Sequence, residues 1–273
     1  MKKILIAYFS GSGSTKNISE VLKTKLSSSF EVELIEIATS FDYSIFEKYD
    51  IVVFGFPTFG CEPPKTVLEF VEDMPTFSQP LKGFVFTTYA LYQENCLRHF
   101  IKKISEKNFI ITDYCGIRGP ASDGALVFPE SWSFIYNYER FIKDKLNFCV
   151  KRISELIDVE VECSRVPAIK WYTLINRLFL HYLEKEYDTY IKSIKLLEER
   201  CINCKTCIKN CQRNSWTEGE KYPVFKAQNC EFCLKCIHNC PQNAIIFSEK
   251  MKDRRRLNKQ FYKKKQAELL KNK

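Results

Sequence analysis

The sequence predicts an α/β chain in which a doubly wound, five-stranded parallel sheet is followed by a small, cysteine-rich α+β domain. Three observations lead there. Over the first 160 residues, five short apolar runs ending in turn-forming residues alternate with helically spaced segments. Eight of the thirteen cysteines fall between Cys201 and Cys240. The stretch "CINCKTCIKNCQRNSW", starting at Cys201, returns 29 positions later, at Cys230, as "CEFCLKCIHNCPQNAI", and an internal repeat of that kind marks a duplicated structural unit.

The strands are read first. "KILIAYF" (3–9), "EVELIEI" (31–37), "DIVVFG" (50–55), "GFVFTT" (83–88) and "FIITDYC" (109–115) are dense in β-branched and aromatic residues. Between them, "TKNISEVLKTKL" sets Ile18, Val21, Leu22 and Leu26 on one helical face. "PPKTVLEFVEDM" opens with prolines, which a helix start tolerates, and then spaces Val67, Leu68 and Val71 helically. "NCLRHFIKKI" and "YERFIKDKLNFCVKRISELI" complete the alternation. The divisions that follow are a sheet domain over 1–160, a connecting helical segment over 161–195, a cysteine domain over 196–248 and a basic tail over 249–273. "WYTLINRLFLHYL" in the connecting segment is apolar enough to pack the two halves together. No long Gly/Ser or Pro-rich linker parts them, which argues for a fixed arrangement.

The start of the chain imitates a secretory signal, with Lys2 and Lys3 before an apolar run. That run, Ile4 to Phe9, is too short and meets no small-residue cleavage pattern, so a buried first strand explains it better. Arg177 interrupts the best candidate for a membrane span. The expectation is a cytoplasmic protein without a transmembrane segment, in which clustered cysteines bind metal or do redox chemistry. The net charge of +9 does not point to nucleic acid. From Ser248 onward eleven Lys or Arg face three acids, so the tail holds +8 and the rest is close to neutral. A basic tail with few apolar residues reads as a solvated or frayed helical end, and docking to an acidic partner or a membrane surface is the alternative.

Each cysteine run has the form C-x₂-C-x₂-C-x₃-C. Disulfides fit the redox context poorly. Zinc takes pairs of close ligands from two knuckles, whereas here three cysteines crowd one turn of chain. An iron–sulfur cube uses three thiolates from a coiled loop and a fourth from elsewhere. At these residues the chain resembles the bacterial two-cluster ferredoxins, over about fifty residues. The resemblance implies one [4Fe–4S] cluster on Cys201, Cys204, Cys207 and Cys240, and another on Cys230, Cys233, Cys236 and Cys211. It also implies a module whose folding depends on its metal. The family pattern has proline after the fourth cysteine in both runs. Pro241 obeys it and Gln212 does not, which leaves the ligands intact and bears on the turn and hydrogen bonding near Cys211. Trp216 and Tyr222, in the linker between the runs, read as filling for the small core.

"YFSGSGSTKN" joins the first strand to the first helix. It lacks the Walker A ending, and Lys16 stands where a dinucleotide fingerprint needs its third glycine. It offers hydroxyls and two glycines at a helix N-terminus, which suits a phosphate dianion; a plain capping turn is the alternative. "GFPTFGCEPP" (55–64) and "TTYALYQ" (87–93) follow the third and fourth strands and carry Phe59 and Tyr89, aromatics able to lie against a flat ring. As a set these loops resemble flavodoxin. That resemblance implies that Ser10, Ser12, Gly13, Ser14 and Thr15 hold the phosphate of FMN. Pro57, Thr58, Phe59 and Gly60, with Thr88, Tyr89 and Ala90, would hold its ring. Phe59 stands where Trp or Tyr is common, keeping the packing and losing a hydrogen bond.

Cys61 beside the ring loop reads as an inert thiol, with a redox role as the alternative, and Cys96, Cys115, Cys149 and Cys163 read as small core residues. His99, His181 and His238 show no catalytic pattern, and "DGALVFPESW" (123–132) is either a cover for the flavin or a partner surface. The whole chain is similar to flavodoxin–ferredoxin fusion proteins of anaerobes. The function this implies is electron transfer between FMN, two [4Fe–4S] clusters and external redox partners. Two alternatives are an FMN-dependent oxidoreductase fed through the clusters and, more weakly, a redox-sensing interaction protein using its basic tail.

Overall fold

A computed structural model of the chain describes residues 1–38, 41–160, 162–169 and 185–271. Five strands, β1 (Lys3–Tyr8), β2 (Glu31–Glu36), β3 (Ile51–Pro57), β4 (Leu81–Tyr89) and β5 (Phe109–Arg118), form one parallel sheet in the order β2-β1-β3-β4-β5. This is the flavodoxin-like order. Winding reverses at β1, which has β2 on one side and β3 on the other, so the loops leaving β1 and β3 diverge and open a crevice at the carboxyl edge.

Helices cover both faces, as the alternating pattern requires. On one face, α1 (Ser14–Leu26) buries Ile18, Val21, Leu22 and Leu26, and α5 (Ile142–Leu156) packs beside it. On the other, α2 (Lys65–Asp73) and α3 (Cys96–Ser105) close over a phenylalanine cluster that includes Phe46, Phe54, Phe70, Phe100 and Phe109. Many of these rings meet edge to face, as for Phe54 and Phe109 at 5.2 Å. Val67 and Val71 are buried and Leu68 half-buried. Beyond α5, residues 162–169 return to the sheet, where Arg165 N–H donates to Ile111 O at 2.8 Å. Asp113 is buried there between the Arg152 and Arg165 guanidinium groups. The short helix α4 (Gly124–Val127) lies in the long loop after β5.

After helix α6, described over residues 185–192, the C-terminal domain repeats its backbone as faithfully as its sequence. The first copy runs β6 (Lys195–Leu196), a 3₁₀ turn at Glu198–Arg200, α7 (Thr206–Asn210) and β7 (Trp216–Thr217). The second runs β8 (Val224–Phe225), a 3₁₀ turn at Ala227–Asn229, α8 (Lys235–His238) and β9 (Ile245–Ile246). Left-handed residues recur at the same offset, at Asn203 and Phe232, Lys205 and Leu234, Asn214 and Asn243. The copies are interleaved: β6 pairs with β9 and β7 with β8, both antiparallel. Trp216 sits in the core of this domain, whereas Tyr222 stays half-exposed under Lys221 and is no part of that core.

The tail corrects its sequence reading. Residues 259–270 are not a solvated end but a helix, α9 (Lys259–Leu270), packed on α1. Asn258 caps it by accepting from Phe261 N–H, and Phe261, Tyr262 and Leu269 are buried. Its lysines mask a narrow apolar stripe that is enough to dock it. No helix among the described residues is long and apolar enough to cross a membrane. The apolar stretch "WYTLINRLFLHYL" and His181 lie outside the described residues.

Candidate functional site

Three loops meet at the carboxyl edge of the sheet, and hydroxyl groups tie them. Gly13, at φ 134°, is the N-cap of α1 and has no side chain to cap with; Lys16 N–H donates to Ser10 Oγ at 3.3 Å instead, and Ser12, Ser14 and Thr15 gather beside it at the helix start. Thr15 Oγ1 lies 2.8 Å from Thr88 Oγ1, and Thr58 Oγ1 lies 3.0 Å from Thr87 Oγ1. Thr58 N–H donates to Thr88 O at 2.8 Å, and Gly119 N–H to Tyr89 O at 2.9 Å. Pro57, Phe59, Gly60, Tyr89 and Ala90 are half-buried along the same rim. Phe59 to Glu62 forms a tight hairpin turn with both central residues, Gly60 and Cys61, at positive φ. Phe59 meets Phe9 edge to face.

The rest of the chain covers this edge. The Tyr262 ring lies against Gly13, within 2.6 Å of where a Cβ would stand, and its hydroxyl is 3.1 Å from Ser12 Oγ. Cys233 O approaches Gly11 so closely that a Cβ there would sit 2.3 Å from it. Tyr138 completes the enclosure, accepting from Asn17 Nδ2 at 2.9 Å and contacting Ser14 Oγ. Burial pushes its hydroxyl up to about 12 and raises that of Tyr262 further. The two glycines therefore admit this protein's own Cys233 and Tyr262. The donor set of hydroxyls and helix N-terminus fits a phosphate monoester, and Asn17 Oδ1 is buried there with no hydrogen-bond partner among the described residues.

The cysteine runs form two cavities. Cys211, Cys230, Cys233 and Cys236 line one; Cys201, Cys204, Cys207 and Cys240 line the other. Each draws three thiols from one run and one from the other. Backbone N–H groups point at the sulfurs in matching places: Asn203 at Cys201 (3.4 Å) and Phe232 at Cys230 (3.4 Å), Ser215 at Cys211 (3.3 Å) and Ala244 at Cys240 (3.2 Å). Such donors stabilise thiolate ligands. The Thr206 hydroxyl draws the Cys204 thiol below its ordinary range, while burial pushes Cys207 and Cys230 up to about 11 and Cys236 to about 12. Buried thiols of that kind ionise only against a cationic group that replaces their protons. Among the described residues, no group of three or more His, Cys, Asp or Glu side chains is placed to hold a single metal ion.

The first of these cavities faces the sheet domain through polar contacts that sequence reasoning did not anticipate. Glu231, between Cys230 and Phe232, accepts from Thr66 N–H at 3.1 Å and from the Thr66 hydroxyl at 2.9 Å, capping α2 from the other domain. Lys235 pairs with Glu36 at 2.5 Å and Arg213 with Glu69. Gln212 donates to Ile37 O at 3.0 Å, so the missing proline supplies a contact between domains. His238 is buried and neutral, held down to about 3 by burial. It bonds Ser122 O through Nε2 at 2.9 Å and accepts from Leu257 N–H through Nδ1 at 3.0 Å. Offset comparison of the two runs was the available signal, since these residues are where the copies differ.

The remaining candidates separate clearly. Cys96, Cys115 and Cys149 are buried, as small core residues should be; Cys163 is exposed and is no core residue. Burial, with Glu94 and Glu62 nearby, pushes Cys61 up to about 12, an unreactive thiol at neutral pH. His99 does have a carboxylate partner: its Nδ1 lies 2.6 Å from Glu62 Oε2, at the end of the Phe59 turn. The pair is 37 positions apart in sequence, hence invisible as a motif. Phe128, Trp132 and Phe134 in the loop after β5 stack on one another and stay exposed.

Comparisons with known proteins concern the first domain. Residues 5–108 match the family model described as the flavodoxin domain. Solved structures similar in part include a flavodoxin of Streptococcus pneumonia TIGR4, at 18% identity over 56% of this chain and 98% of that one, with a TM-score of 0.43. Flavodoxin 2 of Bacillus cereus is 24% identical over 56% of this chain and 98% of its own, at a TM-score of 0.42. A flavoprotein of Lactobacillus acidophilus in complex with FMN is 20% identical over 49% and 99%, at 0.36. No curated protein matches the chain. The matched residues and the β2-β1-β3-β4-β5 sheet together identify the N-terminal part of this chain as a flavodoxin-like domain.

Proposed function

We propose that the chain is an electron-transfer protein whose first domain holds FMN and whose repeat holds two [4Fe–4S] clusters. One cluster belongs to Cys201, Cys204, Cys207 and Cys240, the other to Cys230, Cys233, Cys236 and Cys211. The observation that carries the reading is the contact of Cys233 O with Gly11, because a cysteine of one cavity lies on the phosphate loop itself. FMN, when bound, exchanges electrons singly or in pairs, and each cluster exchanges one. Ser10, Ser12, Ser14 and Thr15 would orient the phosphate, with Tyr262 Oη beside them. Thr58, Phe59, Thr88 and Tyr89 would flank the ring. Glu231, Arg213, Lys235 and Gln212 hold the domains in register, turning an encounter between two carriers into a fixed internal distance. External redox proteins would be the other end of the path, in a cytoplasm that keeps thiols reduced.

Anaerobic purification with flavin, iron and sulfide counted per chain tests the assignment. About one FMN and about eight irons are expected from two four-iron sites; zinc, or no iron, would overturn it. Rapid mixing then tests the internal path, because cluster bleaching after flavin reduction should not depend on protein concentration.

A second reading rests on His99 and Glu62. An FMN-dependent oxidoreductase needs a proton donor near the ring, and this pair adjoins the Phe59 turn. Turnover of a quinone or nitroaromatic acceptor that His99→Asn abolishes, with flavin and iron retained, would favour it over a pure carrier.

A further inference from the structure

The two cavities have matching thiols and opposite electrostatic surroundings. Around Cys211, Cys230, Cys233 and Cys236 the lining includes Glu231, Arg213 and Lys235. Both cations are neutralised, Arg213 by Glu69 and Lys235 by Glu36. Both Glu231 oxygens accept hydrogen bonds from Thr66, which favour its charged form against burial, and its cationic neighbour Arg213 is already paired with Glu69.

Around Cys201, Cys204, Cys207 and Cys240 the charged lining residue is Lys205, paired with Glu218 at 2.8 Å. Arg200 nearby is matched by Asp253 at 2.9 Å. Behind this cavity stands Arg256, 6% exposed, electrostatically coupled to Cys240. Its Nε approaches Asn243 Oδ1 at 3.4 Å, next to Ala244, whose N–H bonds the Cys240 sulfur. Among the described residues neither terminal nitrogen of Arg256 has a hydrogen-bond partner. A buried guanidinium whose terminal nitrogens make no hydrogen bond is costly, and a thiolate-ligated group beside Cys240 would offset that cost.

We infer that Arg256 and Glu231 set the two metal sites at different potentials, making the Cys201/Cys204/Cys207/Cys240 site the electron sink and the site on the phosphate loop the relay. This rests on the two-cluster reading above. The added electron makes a site more negative, so a buried cation favours it and a buried carboxylate opposes it. One electron leaves the relay site and one arrives at the sink, with no bond made or broken. The sink is also the side where Cys204 is exposed, while Cys233, its counterpart, lies against Gly11.

A potentiometric titration of the full chain, followed by paramagnetic resonance and with iron counted on the same sample, tests this. Wild type should titrate in two steps at least tenfold apart in electron occupancy, which is ~59 mV for a one-electron couple. Arg256→Gln should lower the upper step alone, and Arg256→Lys should restore it. Glu231→Gln should raise the lower step alone. Eight irons with a single unsplit step, or both variants moving the same step, would overturn the inference and leave the two-cluster reading standing; absence of iron would overturn both. If Arg256→Gln loses iron, Glu231→Gln decides, because an unmoved lower step counts against the inference.

Discussion

The Tyr262 hydroxyl lies 3.1 Å from Ser12 Oγ, across 250 positions of chain. A helix that sequence alone marks as a basic tail thus ends up bonded to the first loop of the sheet domain. Tyr262→Phe keeps the ring and loses the hydrogen bond, which should cost about 1 kcal/mol. Tyr262→Ala empties a buried aromatic site and should cost roughly 3 kcal/mol. Urea unfolding measures both, and an unchanged midpoint for the alanine variant would mean that α9 contributes nothing to the fold.

If the proposed ligation is crossed, losses of iron should not add. Cys211→Ser and Cys233→Ser stand in different runs but line one cavity. Each should lose about four irons, and the double variant no more than either alone. Cys211→Ser combined with Cys204→Ser should lose nearly all the iron. Iron and sulfide assays decide; additive loss from Cys211→Ser with Cys233→Ser would rule out the shared site.

Gln212→Pro restores the repeat pattern at the cost of the bond to Ile37 O. Iron content should stay unchanged, because the side chain is no ligand. The docking contact should weaken by about 1 kcal/mol, seen as faster hydrogen exchange at the end of β2 and around Cys211. Lost iron with unaltered exchange would assign Gln212 to the metal site instead.

Thiol labelling separates the other cysteines. Cys163 is exposed, while Cys61 is half-buried and pushed up to about 12 by burial and its acidic neighbours. Iodoacetamide at neutral pH should therefore modify Cys163 well before Cys61 in the folded chain. The reverse order, read by peptide mass mapping, would restore a reactive role for Cys61.

The sheet was legible because its period was: helical stripes follow every apolar run but the second, where only a 3₁₀ turn (Tyr43–Lys48) stands, and all four residues read onto the inner face of α1 are buried there. That the cysteines gather around two cavities was legible because their spacing is local. What escaped was contact between distant segments. Tyr262 lies among lysines, and its signal was only Phe261, Tyr262 and Leu269 at helical spacing behind Asn258. His99 and Glu62 meet only because the Phe59 turn returns toward α3. Glu231 looked like an ordinary acid between cysteines until α2 presented its N-terminus.

The 29-residue offset makes each copy a control for the other. Backbone turns, helix starts and sulfur-directed amides are shared, whereas the residues reaching the sheet domain are not. Gln212 answers to Pro241, Arg213 to Gln242, Glu231 to Ile202 and Lys235 to Thr206. Ile202 faces solvent where Glu231 caps a helix. Both copies feed the mating surface, Gln212 and Arg213 from the first and Glu231 and Lys235 from the second, while their counterparts Pro241, Gln242 and Ile202 stay exposed. A swap of these four positions between the copies would turn the module around on its host, presenting the other cavity to the phosphate loop.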